Sequence, residues 1–158
     1  MTKANLLIKS LKKVGLTVAF AESVTCGMAV EKLSTCIGLS EVLAGGIVCY
    51  TPEVKCDLLN GSKTLINKYT CESMQVTTAL AKNLPKLIKA DIHVAITGLA
   101  SAGGTETKDK PVGTIFFCIK YKNKLFKERK LFRGTPLEIR EKANLFIYEF
   151  IQKTAAKN

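Results

Sequence analysis

The stretch Thr17-Val18-Ala19-Phe20-Ala21-Glu22-Ser23-Val24-Thr25-Cys26 decides how this chain is read. Its first half is a short apolar run preceded by Gly15, the pattern of a buried strand. Its second half is small and hydroxylic and leads into a helical pattern carrying Met28, Ala29 and Leu33. A serine at a strand-to-helix turn projects from the carboxyl edge of a sheet, beside the N–H groups of the next helix. Open α/β sheets bind their ligands at that edge. Ser23 therefore has two readings, a helix cap of the kind serine commonly supplies or a nucleophile. The segment alone leaves both open.

Working outward, residues 3–14 read as a helix with Ala4, Leu7, Ile8 and Leu11 on one face and Gly15 at its end. The strand at 16–21 is followed by a helix at about 25–36, closed near Gly38. Residues 45–50 read as a second strand, and Thr51-Pro52 opens a helix ending near Asn60-Gly61. A short helix around 63–69 and a longer one from Glu72, redirected at Pro85, come next. Residues 92–97 form a third buried strand, and 98–113 a loop rich in glycine and polar residues. Strands at about 114–121 and 125–132 make a hairpin through Lys122-Asn123-Lys124. Thr135-Pro136-Leu137-Glu138 is a capping box opening the last helix, whose apolar face is Ile139, Ala143, Phe146, Ile147 and Phe150. The expected fold is one layered α/β domain over residues 1–158. Helices pack on both faces of a mixed, mainly parallel sheet with an antiparallel hairpin.

Composition excludes several classes. The 158 residues, 47% hydrophobic and 23% charged, suit one globular domain. No apolar run reaches the roughly 18 residues of a membrane helix, and the N-terminus lacks the pattern of a signal peptide. The six cysteines include no C-x-x-C pair and mostly fall in apolar patterns, as reduced thiols of a cytoplasmic protein do. The lone histidine, His93, lies in a strand pattern, so no metal site is expected. A net charge of +11 invites nucleic acid, yet Lys120, Lys122 and Lys124 alternate with Ile119 and Tyr121 along a strand leading into a hairpin. No aromatic residue stands on that basic face for base stacking. The charge reads instead as a general attraction for anionic ligands.

Three strand ends carry chemistry. The first delivers Ser23; the second delivers Tyr50 and, one turn on, Lys55; the third delivers Thr97-Gly98 and a loop of glycines and small residues to Gly104. If the strands are parallel, one edge holds a nucleophile, a base and a backbone cradle for an anion. A serine attacking an amide needs a proton acceptor, and a single histidine inside a strand does not suit a triad. Lysine can take that part where burial or neighbouring positive charge favours its neutral form. Lys55, close to a helix N-terminus, is the candidate, with Tyr50 to orient it or relay a proton. The plainer readings are a solvated helix lysine and a strand-end anchor.

Together these segments resemble the CinA C-terminal domain family, whose active members are nicotinamide-nucleotide amidases. The family's A-E-S-C-T-G-G is similar to Ala21 through Gly27, and its G-G-x-V-x-Y-x-N-E-x-K to Gly45 through Lys55. Its T/S-G-I-A-G-P-G-G resembles Thr97 through Gly104, its K-P-V-G-T matches Lys110 through Thr114, and its late I-R is Ile139-Arg140. The resemblance implies hydrolysis of the carboxamide of nicotinamide mononucleotide to nicotinate mononucleotide and ammonia, without a cofactor. It makes Ser23 the nucleophile and Lys55 the base, with Tyr50 assisting. Substrate contacts fall at Glu22, Thr25, Gly46, Thr97, Gly98, Ser101, Gly103, Gly104 and Arg140. A homodimer or larger homo-oligomer is implied as well. The chain departs from the pattern at Val24, Cys26, Pro52, Ser101 and Ala102. A non-glycine residue at 26 or 101 is strained if the backbone there needs positive φ. The alternative is a catalytically impaired nucleotide-binding or regulatory module of the same fold.

Overall fold

Strand β1, Val18–Glu22, is buried along its whole length, as its unbroken apolar run requires. It lies inside a five-stranded sheet of order β2-β1-β3-β4-β5 in the computed structural model, which describes residues 1–58 and 63–156. The other strands are β2 (Leu43–Val48), β3 (Ile92–Gly98), β4 (Thr114–Tyr121) and β5 (Lys124–Leu131). β2 and β3 run parallel to β1 on either side, while β4 is antiparallel to β3 and to β5. The mixed α/β sheet with its antiparallel hairpin is the expected class. Because β1 sits between β2 and β3, the chain leaves it to one side and later returns to the other. That is the switch point at which open sheets form a crevice.

Alternation along the strands sorts two unequal cores. Val18, Phe20, Ile92, Val94, Ile96, Ile115, Phe117 and Ile119 face one side, against helices α1 (Lys3–Lys13) and α6 (Pro136–Ala156). Ala19, Ala21, Ala95 and Cys118 face the other, against Val76, Leu80 and Ala81 of α5 (Met74–Asn83). Small residues on that side let α5 approach closely. The capping box of α6 forms as its sequence requires: Thr135 N–H donates to Glu138 Oε2 at 2.7 Å, and Glu138 N–H to Thr135 Oγ1 at 3.3 Å.

Several boundaries differ from expectation. The helix placed at 25–36 is a single turn, α2 (Met28–Glu31), after which Thr35 supplies a side chain that competes with helical bonding. Thr35 Oγ1 donates to Lys32 O at 3.4 Å. β2 begins at Leu43, with a register irregularity opposite Val18 and Ala19 where Gly45 adopts φ +151°. α5 starts at Met74 because Ser73 accepts the Val76 N–H at 3.3 Å, so Glu72 precedes the helix. α3 (Pro52–Leu58) and α4 (Lys63–Tyr69) flank the placement of a helix end near Asn60-Gly61, which lies outside the described residues. No helix among the described residues is long and apolar enough to cross a membrane.

Candidate active site

The parallel register pairs Glu22 with Val48 on one side and with Ile96 on the other. The ladder continues one residue further, with Ser23 N–H donating to Ile96 O at 3.0 Å and Cys49 N–H to Glu22 O at 2.7 Å. The residues that follow the three strands therefore emerge at one carboxyl edge. A cavity of about 420 Å³ opens there. Of the residues anticipated from sequence, Ser23, Tyr50, Gly98, Ser101, Gly103, Gly104 and Arg140 lie on its wall.

Ser23 is not the cap of α2. Gly27 holds the cap position with φ +89°, and the N–H groups of Ala29 and Val30 donate to the two carboxylate oxygens of Glu22 at 3.0 Å each. That assigns Glu22 a different place from the substrate contact expected of it. It is buried behind the cavity, and its charge is spent on the exposed amides of a helix start. Three further expected contacts also stand behind the wall. Thr25 is fully buried and its carbonyl accepts Arg140 Nη2 at 3.1 Å. Thr97 Oγ1 shares a 2.8 Å hydrogen bond with Thr77 Oγ1. Gly46 has no room for a side chain, since a Cβ would stand 2.6 Å from Val30 Cγ2.

Lys55 and Tyr50 divide sharply. Tyr50 is 65% exposed at the cavity wall, whereas Lys55 is 1% exposed and does not reach that wall. The Lys55 ammonium donates to the Tyr50 carbonyl at 2.6 Å. The solvated-lysine reading is thereby excluded. Burial pushes the neighbouring Cys49 thiol up to about 11, with the charge of Lys55 opposing that rise. Cys26, standing where the family pattern has glycine, adopts φ +52° and is exposed on the cavity wall. Ser101 does not take positive φ, so the strain anticipated there is absent.

The glycine loop already holds an anion of its own. Gly103 and Gly104 N–H groups donate to the two oxygens of Glu106 at 2.8 Å each. The Gly103 amide, then the other loop amides, hold that carboxyl below its ordinary range. Among the described residues, the amides of Ala100, Ser101 and Ala102 make no hydrogen bond within the protein. Opposite charge comes from α6. Pro136, its first residue, and Arg140, one turn further, both line the cavity. Arg140 Nε is buried without a partner among the described residues. A guanidinium on the cavity wall, beside the N-terminus of a 21-residue helix, suits an anionic group.

Sequence reasoning missed Glu72, which also lines the cavity. Its spacing carried no signal, because it read as the first residue of a helix.

The CinA C-terminal domain family model matches residues 1–155. The chain is 40% identical over 119 residues to a CinA-like protein of Pseudothermotoga lettingae, covering 75% of this chain and 29% of that protein. It is 36% identical over 137 residues to a putative competence-damage inducible protein of Clostridium botulinum, covering 87% and 32%. The chain thus spans about a third of the length of the curated relatives it matches. Among solved structures, the competence/damage inducible protein CihA of Agrobacterium tumefaciens superposes with a TM-score of 0.87 at 28% identity, covering 94% of this chain and 91% of that one. A CinA superfamily protein of Klebsiella pneumoniae shares the fold with a TM-score of 0.91 at 22% identity, over 99% and 97%.

Proposed function

The chain belongs to the CinA C-terminal domain family, and from that premise we propose that it is an amidohydrolase. Its proposed reaction is the deamidation of nicotinamide mononucleotide to nicotinate mononucleotide and ammonia. The observation that carries this reading is Ser23, which lines the cavity while Glu22 holds the helix that a capping serine would serve. Its hydroxyl is left for chemistry. Ser23 Oγ would attack the carboxamide carbon, forming an acyl-enzyme and releasing ammonia, and water would then free the acid. Lys55, after giving up one ammonium proton, would as the neutral amine take the hydroxyl proton and return it to the leaving nitrogen, through Tyr50 at the cavity wall. Because two loop amides are occupied by Glu106, the phosphate is assigned to Arg140, the α6 N-terminus and the amides of residues 100–102.

One observation favours the impaired-module reading. Lys55 points its ammonium at the Tyr50 carbonyl and stands off the cavity wall, so proton transfer from Ser23 requires a rearrangement. Ammonia release from nicotinamide mononucleotide by the purified protein separates the two. The amidase reading expects turnover that Ser23→Ala reduces by about 10³-fold or more. Tight nucleotide binding with no ammonia, or full activity in Ser23→Ala, would refute it.

A further inference from the structure

Glu72 is the only carboxylate on the cavity wall among the described residues, and Arg140 is the only cation. Its position is built. Thr105 Oγ1 donates to Glu72 Oε2 at 2.6 Å and itself accepts from Lys110 Nζ at 2.8 Å. The same ammonium donates to Thr70 Oγ1 at 2.8 Å and to the Glu72 backbone carbonyl at 3.0 Å. Lys110 therefore meets three acceptors, none of them the Glu72 carboxylate, with which it shares Thr105 Oγ1 and a charge attraction across it. Glu72 forms no ion pair among the described residues, and its Oε1 has no hydrogen-bond partner there. The side chain is half-buried, so its charge faces the cavity with less than full solvent screening.

A wall with one oriented carboxylate and one guanidinium is bipolar. It fits a ligand that carries a positive and a negative group at separate points. A phosphate is repelled by Glu72 and drawn to Arg140, which leaves Glu72 to the cationic end. In an oxidised pyridine nucleotide that end is the ring, whose quaternary nitrogen disappears on reduction to the dihydro form. We propose that Glu72 reads the positive charge of the ring and makes this site select oxidised over reduced pyridine nucleotides. The inference rests on the function proposed above and adds a specificity-determining residue to it. Thr105 and Lys110 act through Glu72 by fixing where its carboxylate points.

The test measures dissociation constants by calorimetry for nicotinamide mononucleotide and for its dihydro form. Turnover is blocked throughout by Ser23→Ala. The protein with Glu72 is expected to bind the oxidised form about tenfold more tightly, the scale of one partly screened charge pair. Glu72→Gln keeps an acceptor for Thr105, so it should weaken the oxidised form alone and bring the ratio close to one. A ratio unchanged by Glu72→Gln, or an equal loss for both forms, overturns the proposal, since either makes the residue a structural support. Should Glu72→Gln fail to fold, the same ratio in Glu72→Ala decides. Failure of the amidase reading is seen separately, as absence of ammonia release from the protein with Ser23 intact. An unchanged binding ratio alongside ammonia release defeats this proposal alone.

Discussion

At the scale of single residues, the chain separates groups that reach the cavity from groups that hold its wall. Lys55 tests the boundary, being buried yet proposed to serve chemistry. Lys55→Met replaces a buried amine by an apolar side chain of similar length and removes one hydrogen bond, that to the Tyr50 carbonyl. The expected result is a melting temperature within a few degrees of the parent and ammonia release reduced about 10³-fold. Comparable turnover would remove lysine from the mechanism. Cys26 carries the second residue-scale prediction. Its φ of +52° strains any side chain, and its thiol stands on the cavity wall with Ser23. Cys26→Gly should raise stability by roughly 0.5 kcal/mol, the steric relief being partly offset by glycine's freedom in the unfolded chain. It should also abolish inhibition by a small thiol reagent. Persisting inhibition would place the reactive thiol elsewhere. Which residues stand at the strand ends was legible, because strand ends follow from apolar runs. Whether Glu22 or Ser23 holds α2 was not, because the two are adjacent and only three-dimensional reach distinguishes them. Glu72 was illegible for a different reason: it joins the cavity through a tertiary approach of the loop at 98–113, to which no periodicity points.

At the scale of elements, the cavity's floor depends on how that loop is clamped to the sheet. Leu99 N–H donates to Thr114 O at 3.0 Å, Gly113 N–H to Leu99 O at 2.7 Å, and Phe132 N–H to Gly113 O at 2.9 Å. Gly113 sits at this junction with φ +93°, and a Cβ there would stand 1.9 Å from the Phe132 carbonyl oxygen. Backbone on both sides cannot yield as a flexible side chain can. Gly113→Ala should therefore cost about 3 kcal/mol or more in urea unfolding, from combined strain and overlap. A loss below about 1 kcal/mol would show that the clamp gives way. The sequence revealed a glycine-rich loop after a strand but not the role of each glycine. Gly113 is set by closeness to backbone, Gly103 by its φ of +91°, and Gly104 by Leu99 Cδ2, which a Cβ would meet at 2.8 Å. Long elements such as α1, β3, β4 and α6 were legible because a full amphipathic or apolar period repeats in each. The single turn α2 was overestimated, since its apolar spacing continues past the point where a local side chain interrupts the helix.

At the scale of the whole molecule, the layered arrangement was legible from alternating strands and helices, while the sheet order was not. Placing β1 between β2 and β3 is a tertiary outcome, and it creates the crevice where the proposed chemistry gathers. The net charge of +11 acts at this scale too. Long-range attraction raises encounter rates for anions and lowers them for cations, and it fades as salt shortens the Debye length from about 30 Å at 0.01 M to about 10 Å at 0.1 M. Nicotinamide mononucleotide carries net negative charge, its phosphate outweighing the ring. The riboside, lacking phosphate, is a cation. Raising ionic strength across that range should therefore lower kcat/KM for the nucleotide by roughly threefold or more. The same change should raise kcat/KM for the riboside. The opposite signs distinguish a whole-molecule field from any effect of salt on the fold, which would move both substrates together. Parallel decreases for nucleotide and riboside would mean that the excess positive charge plays no part in bringing substrate to the cavity.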